Sequence, residues 1–463
     1  MAEVHNNYPG ALRTLGIGVA MVAAVLLVHG RYPSLLSFAE LRAFDLRMNA
    51  RGTRNPHGEV VIVAVDDKSI VELGRWPWPR TVFARLTDAL KSYNVAVVGF
   101  DMVFSERDNM DVEREKIVGG LKHGGLSANS PAAASSLSND QAFADAIKTQ
   151  GNTIVGYPLE VSTGAGWGGK ITPGFVTRVV APAPLVYSRV EIPAQAPPPP
   201  VIEAVAYLPN LPAINSAARG TAFFDTPSDA DAVFRSELMV IRFGNRYCVP
   251  LSVAIVSAYA NGAPTVLTLA DYGVSGVTIG PLRIPVDEQG RMLVNFRGPA
   301  HTFPYYSVAD VIGHRVAAKA LANKIVLVGA SALGLGDRLS SPMGAEFPGV
   351  ELHANAIDNI LTGDFIQRSQ VTAGLELLAA TVMVIAVSAA VAFLGPSMSL
   401  AVVAALIASY FGLAQYLLIA DGILIGIIFP IVTTFIAYAL LTSYRHVVCE
   451  RERRLLRHAL GEH

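Results

Sequence analysis

Polar residues with acid or hydroxyl groups follow three apolar runs that the sequence predicts as buried strands. Two aspartates follow EVVIVAV (59–65), one follows VAVVGF (95–100), and a serine and an aspartate lie in GASALGLGD (329–337), after NKIVLV. Open parallel sheets bind ligands beyond the carboxyl ends of their strands. We therefore predict a ligand pocket at this edge, formed by Asp66, Asp67, Asp101, Ser331 and Asp337, with Trp78 or Trp76 as a wall.

These residue types also have a purely structural role, because aspartate and serine commonly cap helices and stabilise turns. The same choice arises for Asp225, Asp229 and Asp231, which lie within seven residues in DTPSDADAVFR. A Ca²⁺ loop needs about six or more oxygen ligands at a defined spacing and a terminal Glu. The spacing differs from that pattern, so a structural turn is the favoured interpretation here.

Other catalytic and metal-binding patterns are weak or absent in the sequence. Gly329, Gly334 and Gly336 resemble a phosphate-binding loop only loosely, because no Lys-Ser or Lys-Thr follows them. The histidines lack a paired zinc spacing, and neither a serine nucleophile elbow nor HExxH occurs. The sequence thus predicts no catalytic residue, no metal and no cofactor for this chain.

The order of elements around these residues indicates an α/β domain. A strand at 59–65, a helix at 80–92 and a strand at 95–100 imply a parallel sheet with a crossover connection. We expect a mainly parallel or mixed sheet. A Gly-, Ser- and Ala-rich insertion is expected at 118–140, and loop, polyproline and edge structure at 160–218.

The composition indicates a soluble domain joined to several membrane spans. The 463 residues are 52% hydrophobic and 16% charged, and the mean hydropathy is +0.41. The net charge of −1 gives no indication of nucleic-acid binding. Four apolar segments predict transmembrane helices, each long enough at ~1.5 Å per residue to approach or exceed a ~30 Å hydrocarbon core; they are 14–30, 371–394, 398–420 and 423–443.

The charges beside these segments predict their orientation. Five arginines lie between Arg445 and Arg457, and a basic cluster directly after a span marks the cytoplasmic side. Segment 14–30 lacks a small-x-small cleavage pattern, so we expect an anchor rather than a signal peptide. The predicted layout is a cytoplasmic N-terminus at 1–13, an extracytoplasmic domain at 31–370 and a cytoplasmic helix at 444–463. Cys248 and Cys449 then lie on opposite sides of the membrane.

Several residues of the helical segments are candidates for transmitting a signal. Ionisable residues within a membrane are often functional, which singles out Glu376, although it lies near enough to an interface to reach the headgroups. Pro430 is expected to kink the last span. In the first segment, Gly16, Ala20 and Ala24 would let another helix approach closely. A heptad spacing hints at a parallel helix pair through Leu441, Val448 and Leu455.

A set of motifs in one order resembles the CHASE type-two family of extracellular sensor domains over about residues 35–365. The motifs are FDLRM (44–48), VDDKSI (65–70), GRWPWPR (74–80), GFDMVFSE (99–106), DADAVFR (229–235), NFRGP (295–299), NKIVLVGASALGLGD (323–337) and PGVELHANAIDNIL (348–361). Ala232 stands where the family usually has glycine, so the conformation of that turn is open. The resemblance also implies the layout of one span, a sensor domain, three spans and an output domain.

The tail ERERRLLRHALGEH (450–463) is similar to the helix that precedes the catalytic domain of bacterial class III adenylate cyclases. This likeness implies a homodimer in the bacterial inner membrane. It also implies that ATP and Mg²⁺ or Mn²⁺ belong to a cyclase domain that would follow this chain. The expected function is an adenylate cyclase receptor whose extracytoplasmic ligand is unknown. The alternative is a non-enzymatic sensor or solute-binding protein that acts through a cytoplasmic partner.

Overall fold

The computed structural model describes residues 8–31, 36–123, 138–161, 174, 176–178, 183–192, 201–332, 334–335 and 338–459. The chain divides into two compact units. The helical unit comprises Met1–Arg51 and Ile366–His463, and the sheet domain comprises Gly52–Phe365.

The helices, in chain order, are α1 Tyr8–Arg31, α2 Ser37–Arg51, α3 Asp67–Leu73, α4 Arg80–Ser92, α5 Asn109–His123, α6 Asn139–Gln150, α7 Pro212–Ala217, α8 Leu251–Tyr259, α9 Val308–Ile312, α10 Ala318–Leu321, α11 Gly349–Thr362, α12 Gln370–Phe393, α13 Pro396–Ala420 and α14 Ile428–Ala459. The strands are β1 Val60–Val65, β2 Val97–Phe100, β3 Thr153–Tyr157, β4 Leu159–Val161, β5 Arg189–Glu191, β6 Glu203–Tyr207, β7 Gly220–Phe223, β8 Ser236–Leu238, β9 Ile241–Phe243, β10 Arg246–Cys248, β11 Thr265–Ala270, β12 Gly273–Ile279, β13 Leu282–Ile284, β14 Arg291–Leu293, β15 Tyr305–Ser307, β16 Ile325–Ala330, β17 Arg338–Ser341 and β18 Gly344–Pro348.

A six-stranded parallel sheet organises the sheet domain, in the order β15-β1-β16-β2-β3-β7. All six residues of β1 and all four of β2 are buried. Strands covered on both faces need apolar side chains at every position, which explains the uninterrupted runs VVIVAV and VVGF. The predicted parallel crossover from β1 through α4 to β2 is confirmed.

The two faces of this sheet are covered by different helices. Val60, Ile62 and Ala64 belong to a core that contains residues of α8 and α11. Val61, Val63 and Val65 belong to a second core, which contains residues of α4 and α6. Successive side chains of a strand point to opposite faces, so one short strand supplies both cores.

Smaller sheets complete the domain and include a region where the sequence predicts loops. The orders of the four-stranded sheets are β10-β9-β6-β4 and β13-β12-β11-β5, and two-stranded sheets pair β14 with β8 and β17 with β18. Strand β6 lies between β9 and β4 and buries Ala206 and Tyr207, so part of segment 160–218 is core rather than edge. Similarly, α5 extends into the predicted insertion at 118–140, of which residues 124–137 lie outside the described residues.

Among the residues that the structure describes, three helices are long and apolar enough to cross a membrane, rather than the four that the sequence predicts. They contain the segments Val371–Phe393, Pro396–Ala420 and Ile428–Val448. In α1, the apolar segment Arg13–Leu27 is shorter than these. The last span begins at Ile428 rather than at 423, because residues 421–427 are not helical. The helix then continues without a break to Ala459.

Helix α1 packs closely on α12, although not through the predicted small residues. Gly16, Ala20 and Ala24 are exposed in the unit, so their predicted role in helix packing is wrong for this chain's own bundle. Gly18 lies instead against Ser388 of α12, where an added Cβ would overlap the serine hydroxyl. A glycine is therefore required at that contact.

Candidate functional site

Asp66 is a helix cap. Its carboxylate accepts hydrogen bonds from the backbone N–H of Ser69 at 2.8 Å and from the Ser69 hydroxyl at 2.5 Å. The Ser307 hydroxyl donates a third bond at 2.8 Å. These three donors come from α3 and the end of β15, so Asp66 fastens the first turn of α3 to the sheet. The alternative role that the sequence allowed for Asp66, capping a helix, accounts for these contacts.

The other predicted pocket residues on this side have separate environments. Asp67 is exposed in the first turn of α3. Trp78 is only 3% exposed, donates its indole N–H to the Gly74 carbonyl, and packs edge-on to Trp76, so it belongs to the core. The backbone N–H of Ser331 donates to the Val65 carbonyl. Asp337 lies outside the described residues.

Asp101, in contrast, lies in a buried cluster with residues that sequence reasoning did not connect to it. It follows β2, and its carboxylate lies 3.8 Å from Nε2 of His353 on α11. The other imidazole nitrogen, Nδ1, lies 3.2 Å from Oε1 of Glu237 on β8. The three side chains are each at most 6% exposed. One imidazole thus lies between two carboxylates that come from different elements.

Asp225 adds a third carboxylate beside this group. It follows β7, is partly buried, and accepts a 2.5 Å hydrogen bond from the backbone N–H of Leu159. Removal from water raises the pKa of Asp225 to about 7; the bond from Leu159 opposes this rise and the charge of Asp101 adds to it. Burial also raises the pKa of Asp101, while the nearby imidazole of His353 opposes the rise. We call Asp101, Asp225, Glu237 and His353 the carboxylate–imidazole cluster.

The order of strands separates the aspartates that follow β1, β2 and β7. Strand β16 lies between β1 and β2, so two strand spacings of about 4.8 Å each separate the strand ends that precede Asp66 and Asp101. Strand β3 likewise lies between β2 and β7, and Asp225 is related to Asp101 and His353 through their charges. The sequence could predict that these aspartates lie at one edge of the sheet, but not which side chains they contact.

The acidic turn that might have held Ca²⁺ is occupied by an arginine. Arg235 is 1% exposed and binds Asp229 at 2.9 Å and Asp231 at 2.8 Å. The same turn places Ala232 at φ 60°, the left-handed conformation that glycine adopts most easily. The interpretation as a structural turn agrees with these contacts. Among the residues that the structure describes, no group of three His, Cys, Asp or Glu side chains has a metal-binding arrangement.

The helical unit holds a second set of buried acids around residues 421–427, the non-helical segment before α14. Oε1 of Glu376 accepts the backbone N–H of Gly426 at 2.6 Å. Glu40 on α2 accepts the N–H groups of Ile427 at 2.5 Å and Ile428 at 2.9 Å. We call these contacts of Glu40 and Glu376 the carboxylate clamp.

An arginine and a short backbone pairing extend the clamp. Arg47 of α2 donates to the carbonyls of Ala414 and Ile425, each at 2.7 Å. Gln367 exchanges backbone hydrogen bonds with the 421–427 segment: its N–H donates to Gly422, and its carbonyl accepts from Leu424. The start of α14 is therefore tied to α2, to α12 and to the chain just before α12.

The remaining predicted transmission residues have different environments. Pro430 lies in the first turn of α14 rather than within it, where proline is tolerated without a kink. Leu441 is buried against Val387, Val391 and Val403 of the same chain, so it cannot also form a seam with a second chain in this arrangement. Val448 is half-buried, and the side chain of Leu455 lies outside the described residues.

A family model described as the CHASE2 domain matches residues 19–393. No curated protein and no solved structure matches the chain. The matched range contains every motif on which the resemblance rests, from FDLRM to PGVELHANAIDNIL.

Proposed function

The chain belongs to the CHASE2 domain family, and we propose that it is the sensor and membrane portion of an adenylate cyclase receptor. In this proposal an extracytoplasmic stimulus acts on the sheet domain and controls cyclic AMP synthesis in the cytoplasm. The observation that carries it is the combination of a CHASE2 sensor domain with three membrane-length helices, the last of which continues into an Arg-rich segment.

We further propose that the three spans lie in a bacterial inner membrane, with the sheet domain outside and the C-terminus in the cytoplasm. The apolar segment of helix α1, Arg13–Leu27, is shorter than these spans, and we do not count it among them. Its packing on α12 through Gly18 supports a place in the same bundle. The arginines that follow the last span support a cytoplasmic C-terminus.

The carboxylate clamp supports a route for the signal. Helix α2 leads directly into the sheet domain, while α14 leads into the cytoplasmic segment. Glu40 joins these two helices by accepting N–H groups that the start of α14 leaves without intrahelical partners. A displacement of α2 would therefore displace the start of α14, the helix that leads into the cytoplasmic segment. Glu376 connects α12 to the same region, because it accepts the N–H of Gly426 just before α14.

The stimulus needs only to bind one arrangement of this bundle better than another, because that difference in affinity sets the population shift. A homodimer would bring two such output helices together, as class III cyclases require. The cyclase domain itself would supply the ATP site and its Mg²⁺ or Mn²⁺.

Sidedness labelling tests the receptor. Val71 is 84% exposed on the sheet domain, and position 453 follows the last span segment, Ile428–Val448. In intact cells with a permeabilised outer layer, a membrane-impermeant maleimide should label Val71→Cys at once. In a Cys449→Ser background it should label Arg453→Cys only after lysis. Labelling of both from one side would overturn the proposed topology.

Coupling is tested by fusing a class III cyclase catalytic domain after His463. We expect Glu40→Gln to change the cyclic AMP output per molecule in the membrane, because it removes the charge that holds α14. Leu46→Ala is the control, since Leu46 lies on the same helix and is 72% exposed. Equal output from both variants and the parent would argue against the route through α2.

A further inference from the structure

The carboxylate–imidazole cluster contains more acidic groups than its partners can neutralise. Asp101 and Glu237 contact the same imidazole, and Asp225, which accepts the backbone N–H of Leu159, feels the charges of Asp101 and His353. Oε2 of Glu237 is buried and accepts no hydrogen bond from any described residue. Leaving a buried acceptor without a donor costs free energy, so the cluster is one hydrogen-bond donor short.

The cluster also joins separate parts of the domain. Asp101 and Asp225 extend from the six-stranded sheet, Glu237 lies on β8, and His353 lies on α11. Around Asp225 the titratable neighbours are Asp101, His353 and the Tyr157 hydroxyl, behind which lies the thiol of Cys248. Asp225 keeps partial contact with solvent, which gives protons a way in.

We propose that this cluster is a proton-binding site, and that the sheet domain senses the pH of its compartment when the cluster takes up or releases a proton. This rests on the proposed receptor function and names its stimulus. Ionisation of Asp225 places a new negative charge beside Asp101 and His353. The response then reaches α11, the helix that carries His353 and precedes the first membrane span.

The direction of the pKa shifts agrees with this proposal. The pKa of Asp225 is raised to about 7, so this group changes charge in the neutral range. A carboxyl whose pKa is higher in the folded state than the ~3.9 of an unfolded chain binds more protons when folded. Its contribution to stability is complete below the unfolded value and is lost as the pH rises through about 7. Acidification therefore favours the closed packing of the cluster, and alkalinisation loosens it.

Infrared titration of the full chain in lipid vesicles tests the site directly. A protonated carboxyl has its own C=O band, and we expect one such band to disappear with a midpoint near pH 7 in the parent protein. Asp225→Asn should remove this change, because the amide mimics the protonated acid and can still accept from Leu159. Asp88→Asn, at an exposed aspartate of α4, is the matched control and should keep the band.

A second variant keeps the test decisive if Asp225→Asn does not fold. His353→Gln removes the imidazole that opposes protonation of both aspartates, so the midpoint should move to higher pH. The proposal is wrong if no carboxyl titrates between pH 6 and 8, or if neither substitution alters the titration.

Hydrogen exchange at α11 tests the consequence for sensing. After correction for the intrinsic pH dependence of exchange, residues 349–362 should exchange faster at pH 8 than at pH 6, and Asp225→Asn should abolish the difference. A titrating carboxyl with unchanged exchange at α11 would overturn the sensing role. These measurements need no output domain, so a negative result would leave the receptor proposal in place. Conversely, maleimide labelling of both positions from one side would overturn the receptor proposal without affecting the titration.

Discussion

The two sets of buried acids in this protein have opposite degrees of compensation. In the carboxylate clamp, Glu40 and Glu376 accept three backbone N–H groups, and Arg368 lies 3.6 Å from Glu376. In the carboxylate–imidazole cluster, two acids contact one imidazole, the charge of a third is felt there, and an oxygen of Glu237 has no donor among the described residues. The clamp is typical of a structural contact that holds two helices together. The cluster is typical of a site whose charge can change.

The largest effect should come from breaking the clamp. Glu40→Ala removes the acceptor of the Ile427 and Ile428 N–H groups, and each unsatisfied buried donor costs about 1–3 kcal/mol. We expect a clear fall in the unfolding temperature of the protein in detergent micelles. The exposed Leu46→Ala substitution on the same helix should produce a much smaller fall. Equal effects from both would show that the clamp adds little.

The pH dependence of stability should distinguish the cluster from the clamp. Between about pH 5 and 7, Asp225 stays protonated in the folded state but ionises on unfolding, so unfolding becomes easier by at most about 1.4 kcal/mol per pH unit. The unfolding temperature of the sheet domain should therefore fall as the pH rises through this range. Asp225→Asn should flatten the profile, whereas Asp88→Asn should retain it; a profile that rises with pH would contradict the assignment.

A capping carboxylate at the same sheet edge should behave as a purely structural group. Asp66→Ala removes the acceptor of the Ser69 N–H, and loss of such a cap costs about 1 kcal/mol. Chemical denaturation at a fixed pH measures this loss. Asp67→Ala, at the exposed neighbour, is the control. If the two substitutions destabilise equally, the cap is not what Asp66 provides.

The smallest effect, and a gain, is expected at Ala232. A non-glycine residue in the left-handed conformation costs about 1 kcal/mol, so Ala232→Gly should stabilise the sheet domain by up to that amount. The gain should be the same at every pH, because the substitution lies outside the cluster. A change in the slope of the pH profile would show that the turn and the cluster are coupled.

Much of the domain could be predicted from local patterns. The continuous apolar strands fixed the parallel sheet, because only strands covered on both faces need such runs. The ordered motifs predicted the CHASE2 family, which the family match confirmed. Asp101 follows its predicted strand, and the structure places it in a buried cluster with His353 and Glu237; its predicted role in ligand binding stays a prediction.

The sequence by itself thus determined the periodic features of this protein: which segments are strands or membrane-length helices, and which polar residues follow them. Only the tertiary structure decided which of those polar residues meet, because that depends on the order of strands in the sheet. Glu237 on β8 and His353 on α11 lie far from Asp101 along the chain but belong to the same buried cluster. Glu40 and the start of α14, which are even farther apart in sequence, are joined by a hydrogen bond. The physical reason is that hydrophobic patterning acts along a few residues of chain. The pairing of buried charges, in contrast, is resolved only when distant segments pack together and lose their water.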